Sequence, residues 1–133
     1  MANGEWGKSM GDHPISSYKD LHVWQDAMTL AEQCYRLTKR FPKSELFGLT
    51  SQIRRAITSV PANIAEGHGR ESTGSFIQFL RISQGSIKEL ETHLMLSARV
   101  DLTSQSEIAP LLERCESIGK RLRSLIRTLQ EKQ

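Results

Sequence analysis

The sequence predicts an all-α protein, an antiparallel up-down-up-down four-helix bundle. Three observations predict it. Four long stretches place apolar residues at alternating steps of three and four, the signature of a helix with one buried stripe. Short connections with helix stop and start signals separate them, and neighbouring helices on short loops pack antiparallel. No candidate strand reaches a useful length. The near-heptad spacing adds an expectation of shallow crossing angles and coiled-coil-like packing.

A chain of 133 residues with 38% apolar and 25% charged content suits one soluble globular domain with a single core. No apolar run approaches the roughly 20 residues of a membrane helix. The N-terminus lacks a basic segment followed by an apolar one, so no signal peptide is expected and the cytoplasm is the default location. Residues 1–17, with Gly4, Gly7, Gly11 and Pro14, show no period and read as an arm. Trp6 is an isolated aromatic within it. The bundle domain is assigned to 18–133.

The first helix is expected from Tyr18 or Leu21 to Arg40, on the stripe Trp24, Ala27, Ala31, Cys34, Thr38 and Phe41. Met28, Leu30, Tyr35 and Leu37 widen that stripe, and Glu32 pairs weakly with Arg36 on the solvent side. Phe41-Pro42 ends it, because a residue before proline is pushed out of the helical region. Ser44 is the expected cap of the second helix, with Glu45 complementing its dipole. That helix follows Leu46, Leu49, Ile53, Ala56, Val60 and Ile64, with Ile57 beside them and Arg54 and Arg55 facing outward. Pro61 falls inside the run, where it removes an amide donor and crowds the carbonyl of Ile57. Because the period continues past it, the helix should bend there and run on to about Glu66. Gly67 and Gly69 should then stop it in left-handed conformations.

Ser72 or Thr73 caps the third helix, whose stripe is Phe76, Leu80, Ser83, Ile87, Leu90, Leu94 and Ser97, flanked by Phe79 and Ala98. Small residues cluster at Ser83, Gly85, Ser86 and Ser97, on or beside the stripe, where they let a partner helix come close; such packing would account for a mid-helix Gly85. The crowding of Phe76, Ile77, Phe79, Leu80 and Ile82 exceeds what one core can bury and points to self-association. Ser104 and Glu107 form a capping box. The fourth helix then repeats Ile108, Leu111, Cys115, Ile118, Leu122, Leu125 and Leu129 without a miss, with Pro110 in its first turn.

Little of this carries chemistry. His13, His22, His68 and His93 show no metal-ligand spacing, and there is no Glu-x-x-His of the kind that builds di-iron bundles. No metal and no cofactor is expected. Cys34 and Cys115 lie on apolar stripes and read as buried free thiols rather than nucleophiles. Gly67-His68-Gly69 follows a helix, whereas a phosphate loop follows a strand and opens a helix. Asn63, Glu66 and Arg70, just beyond Pro61, read as a hydrogen-bonded plug that fixes the turn at Gly67. A contact surface is the other reading.

The charges are less even. The net charge is only +3, yet Lys120, Arg121, Arg123, Arg127 and Lys132 face Glu131 alone at the end of the fourth helix. The second helix carries Arg54 and Arg55, and Lys39, Arg40 and Lys43 surround the first turn. A solvated face is one reading. The other is an anion-binding surface made by Arg54, Arg55, Lys120, Arg121, Arg123 and Arg127, which would contact RNA or DNA through phosphates. No aromatics alternate with these residues, so base stacking is not expected.

Three blocks carry a resemblance. They are Tyr18-Lys19-Asp20-Leu21-His22-Val23-Trp24 with Phe41-Pro42, then Glu45-Leu46-Phe47-Gly48-Leu49-Thr50-Ser51-Gln52-Ile53-Arg54-Arg55-Ala56, then Val60-Pro61-Ala62-Asn63-Ile64-Ala65-Glu66-Gly67. With Phe76 to Leu80, Gly85-Ser86 and Glu89-Leu90-Glu91-Thr92, they resemble the S23-type four-helix-bundle family, the 23S rRNA intervening-sequence proteins. The match runs from about Tyr18 to Leu129. The resemblance implies a bundle that assembles as a homopentamer and has no enzymatic activity. The family includes proteins encoded in inserts of large ribosomal RNA genes. It also includes the accessory variability proteins of diversity-generating retroelements, basic pentamers that bind a reverse transcriptase and nucleic acid. The expectation is therefore an adaptor that contacts RNA, DNA or an RNA-bound protein. The alternative is a structural module that contacts proteins only.

Overall fold

The computed structural model describes residues 17–133. They fold into four α-helices, α1 (His22–Lys39), α2 (Leu49–His68), α3 (Thr73–Arg99) and α4 (Gln105–Gln130), with no strand among the described residues. A single 3-10 turn, Tyr18–Asp20, precedes α1, and its N-cap is Ser17, the last residue of the expected arm. Each helix packs on its chain neighbours and α1 also closes against α4, while no Cα atoms of the pairs α1/α3 and α2/α4 come within 8 Å. The helices thus occupy the corners of a square. The start of α1, the end of α2, the start of α3 and the end of α4 share one end of the bundle.

The core is one cluster fed by all four helices, with Leu30, Ile53, Ile57, Val60, Ile64, Leu80, Ile87, Leu90, Leu94, Ile108, Ile118 and Leu122 fully buried. Two stripes are phased differently from the sequence expectation. On α1 the buried line is Val23, Ala27, Leu30, Cys34 and Leu37, while Trp24 is only half-buried and Met28 and Tyr35 are exposed. On α4 the line ends Leu122, Ile126, Leu129, and Leu125 lies at its edge. An untwisted helix drifts off a strict three-four repeat over several turns, and Ile126 is the residue that comes into line. Pro110 is at the sixth helical position, beyond the first turn, inside α4 rather than in its cap.

The start of α2 also differs. Lys43–Glu45 form a 3-10 turn, and the α-helix begins only at Leu49. Ser44 makes no capping bond. Glu45 does, its Oε1 accepting the Leu49 amide at 3.0 Å. Leu46 and Phe47 lie outside the helix and are exposed, so the apolar period there belongs to a turn and not to the core.

Past that point α2 is continuous. Pro61 is buried and helical geometry runs through it to His68. The expected glycine stop is absent. Gly69 is right-handed at φ −81°, and Gly67 lies inside the helix. Gly67 serves another purpose. A Cβ built on it would stand 2.6 Å from Phe79 Cβ and 3.0 Å from Phe76 Cδ1, so its missing side chain lets α3 come close. Small polar residues continue this seam. Ser83 Oγ donates to the Val60 carbonyl at 2.9 Å, and the Ser59 and Ser86 hydroxyls are 2.9 Å apart. Gly85 takes no part, since a Cβ there meets nothing within 4 Å. The close approach expected at Ser83 and Ser86 is thus real and lies between α2 and α3, with Gly67 added to it and Gly85 left out.

The one left-handed non-glycine residue described is Asp101, at φ 66°. It ends α3: the Leu102 amide bonds the Ser97 carbonyl at 2.9 Å and the Asp101 amide bonds that of Ala98 at 3.2 Å. This double closure is the Schellman stop. Ser104 then caps α4, accepting the Glu107 amide at 3.2 Å.

Of the crowded α3 cluster, Phe76, Ile77 and Leu80 are buried and Phe79 is half-buried under the Arg70 guanidinium. Only Ile82 remains exposed. One core therefore absorbs most of what was expected to need a partner.

Candidate functional site

The six basic residues singled out from the sequence do not form one patch. Arg54 and Arg55 are on α2, and the others are on α4, its diagonal partner. Arg54 does not face outward. Its Nε donates to Thr38 Oγ1 at 2.9 Å, and its guanidinium lies 4.4 Å from the Tyr35 ring centre. The Thr38 hydroxyl in turn donates to the Cys34 carbonyl, 2.8 Å away. Arg54 is a strut between α1 and α2. Arg55, the next residue, is exposed with no ion pair.

The α4 cations divide in the same way. Arg121 Nε lies 3.3 Å and Arg114 3.6 Å from the carboxylate of Asp26 on α1, so this edge of α4 is tied to α1 and the two arginines share one compensating charge. Arg123 lies about 160–180° round the helix from both, on the edge that borders α3. Arg127 follows it one turn on. Neither has an ion pair, and Lys120 has only a 3.8 Å contact to Glu116.

The structure adds a residue to this second edge. Arg81 of α3 is exposed and unpaired. It lies about 140–160° round α3 from Ser83 and Ser86, which face α2, and therefore points toward the α4 side. Position 81 is eighteen residues before the end of α3 and position 123 eighteen after the start of α4. In an antiparallel pair joined by a short turn these come level, each about 27 Å from the turn. Arg81, Arg123 and Arg127 thus share one face, with Lys88 and Lys120 flanking it as partners of Glu91 and Glu116. Arg81 could have been found from the sequence only by fixing the rotation of α3, which the broad stripe of that helix leaves loose.

The residues grouped as a plug also separate. Asn63 Nδ2 donates to the Ser59 carbonyl at 2.8 Å and to Ser59 Oγ at 2.9 Å, and so supports the α2–α3 seam. Glu66 and Arg70 form an exposed pair at 2.7 Å one turn further on. Pro61 and Gly67 are buried between these groups.

No group of three or more histidine, cysteine, aspartate or glutamate side chains among the described residues could hold a metal. The Cys34 and Cys115 thiols are buried and pushed up to about 12, chiefly by burial, which makes them poor nucleophiles. Burial also lowers the His68 imidazole below 6.5, against a smaller opposing pull from Asp20. A shallow open depression on α4 is lined by Glu113, Glu116, Ser117, Lys120 and Arg121, with both signs of charge together. No helix described is long and apolar enough to cross a membrane. His13 and Trp6 lie outside the described residues.

No curated protein matches the chain. A solved structure does: a protein of unknown function from the S23 ribosomal protein family of Bacteroides thetaiotaomicron VPI-5482, 26% identical. The match covers 78% of this chain and 97% of that one, with a TM-score of 0.71. The family model for the 23S rRNA-intervening sequence protein spans residues 19–124, which takes in α1 to α3 and most of α4. The chain belongs to the 23S rRNA-intervening sequence protein family.

Proposed function

We propose that this protein is a non-enzymatic adaptor that assembles from several copies and contacts RNA or DNA through phosphates on its α3–α4 face. The observation that carries the reading is the grouping of Arg81, Arg123 and Arg127, three exposed guanidiniums without ion pairs on one face. Paired arginines are already neutralised, and unpaired ones have charge to offer a polyanion. A single copy of net charge +3 would bind weakly. Repetition of the face in a ring, the five-fold assembly that the family resemblance implies, would add avidity without new contacts.

The test is a titration of labelled RNA and duplex DNA at two salt concentrations. Counterion release makes the logarithm of affinity fall by about 0.9 per log unit of salt for each duplex phosphate neutralised. The double variant Arg123→Glu with Arg127→Glu should weaken binding to all sequences alike and flatten that slope. Arg54→Ala should leave the slope unchanged. Absence of binding at about 50 mM salt, a range where such contacts are strong, would refute the reading and leave a protein-only module.

A further inference from the structure

The outer side of α3 carries apolar side chains that the four-helix core leaves out. Ile82 is 50% exposed, Leu96 45% and Val100 53%. Val100 still follows the helical path, its amide bonding the Leu96 carbonyl at 3.0 Å. At about 100° per residue, Ile82, Gly85, Glu89, Leu96 and Val100 fall within about 60° round the helix, on the side away from Leu80, Ile87 and Leu94. They form one stripe about 27 Å long. Gly85 interrupts it. A glycine in mid-helix is destabilising, and nothing in its own chain asks for it, since a Cβ there meets nothing within 4 Å.

The stripe fits its own reverse. Turned end for end about position 91, Ile82 comes level with Val100 and Glu89 with His93, while Leu96 falls within one residue of Gly85. Apolar then meets apolar at both ends, and a leucine stands over the gap that the glycine leaves. Glu89 meets an imidazole and not its own copy. Glu91, at the turning point, stays out of the seam, because it is half-buried and holds Lys88 at 3.3 Å. The parallel arrangement fits worse. It sets Glu89 against Glu89, like charges in a desolvated seam, and Gly85 against Gly85, which leaves a void. A surface that complements itself when rotated by half a turn is the mark of an isologous contact between two copies.

We infer that the outer face of α3 pairs antiparallel with the same face of a second copy, about a two-fold axis near position 91. This goes beyond the ring considered above. A ring joins two unlike surfaces of each copy, whereas this contact joins α3 to itself. The α3–α4 face proposed for nucleic acid borders the stripe without containing its apolar residues.

The test is cysteine cross-linking on the intact protein. Ile82→Cys and Val100→Cys are made separately, each in a chain whose own Cys34 and Cys115 are buried. On mild oxidation, a mixture of the two should give a covalent dimer, and neither variant alone should, because positions 82 and 82, or 100 and 100, are about 27 Å apart along the pair. Cross-linking of each variant alone would make the contact parallel and overturn the inference, as would the lack of a dimer in the mixture. Gly85→Leu is the second arm. It fills the gap opposite Leu96, so the dissociation constant of the pair by sedimentation should rise at least tenfold. At a dilution that separates the copies, its thermal melt should be no lower than that of the wild type, since a side chain there meets nothing in its own chain. An unchanged dissociation constant for Gly85→Leu would also overturn the pairing.

Discussion

Gly67→Ala tests the packing of α2 on α3 directly. The new methyl would stand 2.6 Å from Phe79 Cβ, 3.0 Å from Phe76 Cδ1 and 3.3 Å from the Phe76 carbonyl oxygen. Carbon atoms rest about 3.5–4.0 Å apart, so close to 1 Å must be found. Phe79 Cβ is fixed to its backbone and cannot swing aside, so the helices must part. Parting them also stretches the bond from Ser83 to the Val60 carbonyl and the contact between Ser59 and Ser86. Overpacking of this kind costs about 1–3 kcal/mol, offset by up to about 1 kcal/mol for removing a helical glycine. A net loss of about 1–2 kcal/mol is expected. Gly85→Ala is the internal control, because its methyl meets nothing and only the helical gain of about 0.5–1 kcal/mol remains. Urea unfolding followed by far-ultraviolet circular dichroism measures both, with the slope checked for constancy. Gly67→Ala as stable as the wild type, or Gly85→Ala less stable, would refute the assignment of Gly67 as the contact point.

Leu122 is fully buried and Leu125 lies at the edge of the core, so Leu122→Ala should cost about 2–5 kcal/mol and Leu125→Ala distinctly less; equal losses in urea would mean that α4 is rotated. Arg54→Ala should lower stability by about 1–2 kcal/mol, and a double-mutant cycle with Thr38→Val should return a coupling above about 0.5 kcal/mol. Asp101→Gly should raise stability by up to about 1 kcal/mol, since glycine holds the left-handed stop without a Cβ penalty. The Thr103 hydroxyl, with help from Arg40, holds the Glu107 carboxyl below 4.5. The contribution of Glu107 is thus complete above pH 4.5 and fades as pH falls through its folded value. Stability curves between pH 3 and 7, a range chosen to bracket that fall, should show a shallower acid limb for Thr103→Val.

What was legible in the sequence was the periodic part. Helix number, the Ser72 and Ser104 caps, the buried thiols and most core positions follow from spacing and side-chain chemistry alone. Most of the misreadings depend on what faces a residue from another helix, and the start of α2 depends on which local side chain caps it. Gly67 and Gly85 are alike in sequence, and only the position of Phe79 distinguishes them. Arg54 and Arg55 are adjacent, but Thr38 and Tyr35 claim the first. Leu46 and Phe47 continue an apolar period that the backbone abandons, because Glu45 starts the helix later than Ser44 would. Rotation and register decide which cations remain unpaired, so the basic residues were visible and their grouping was not.

The two thiols turn one half of the bundle into a clock. Cys34 and Cys115 are in α1 and α4, whereas α2 and α3 contain no cysteine. A thiolate-directed reagent reaches neither while the helices are closed, and at about 12 neither ionises near neutrality. Labelling must therefore wait for the α1–α4 side to open. Its rate counts those openings, while amide exchange at Val60 and Ile64 follows the α2–α3 seam. If the seam outlasts the thiols, the molecule unzips from the side where Asp26 holds Arg114 and Arg121, and the hairpin of α2 and α3 is the last part to let go.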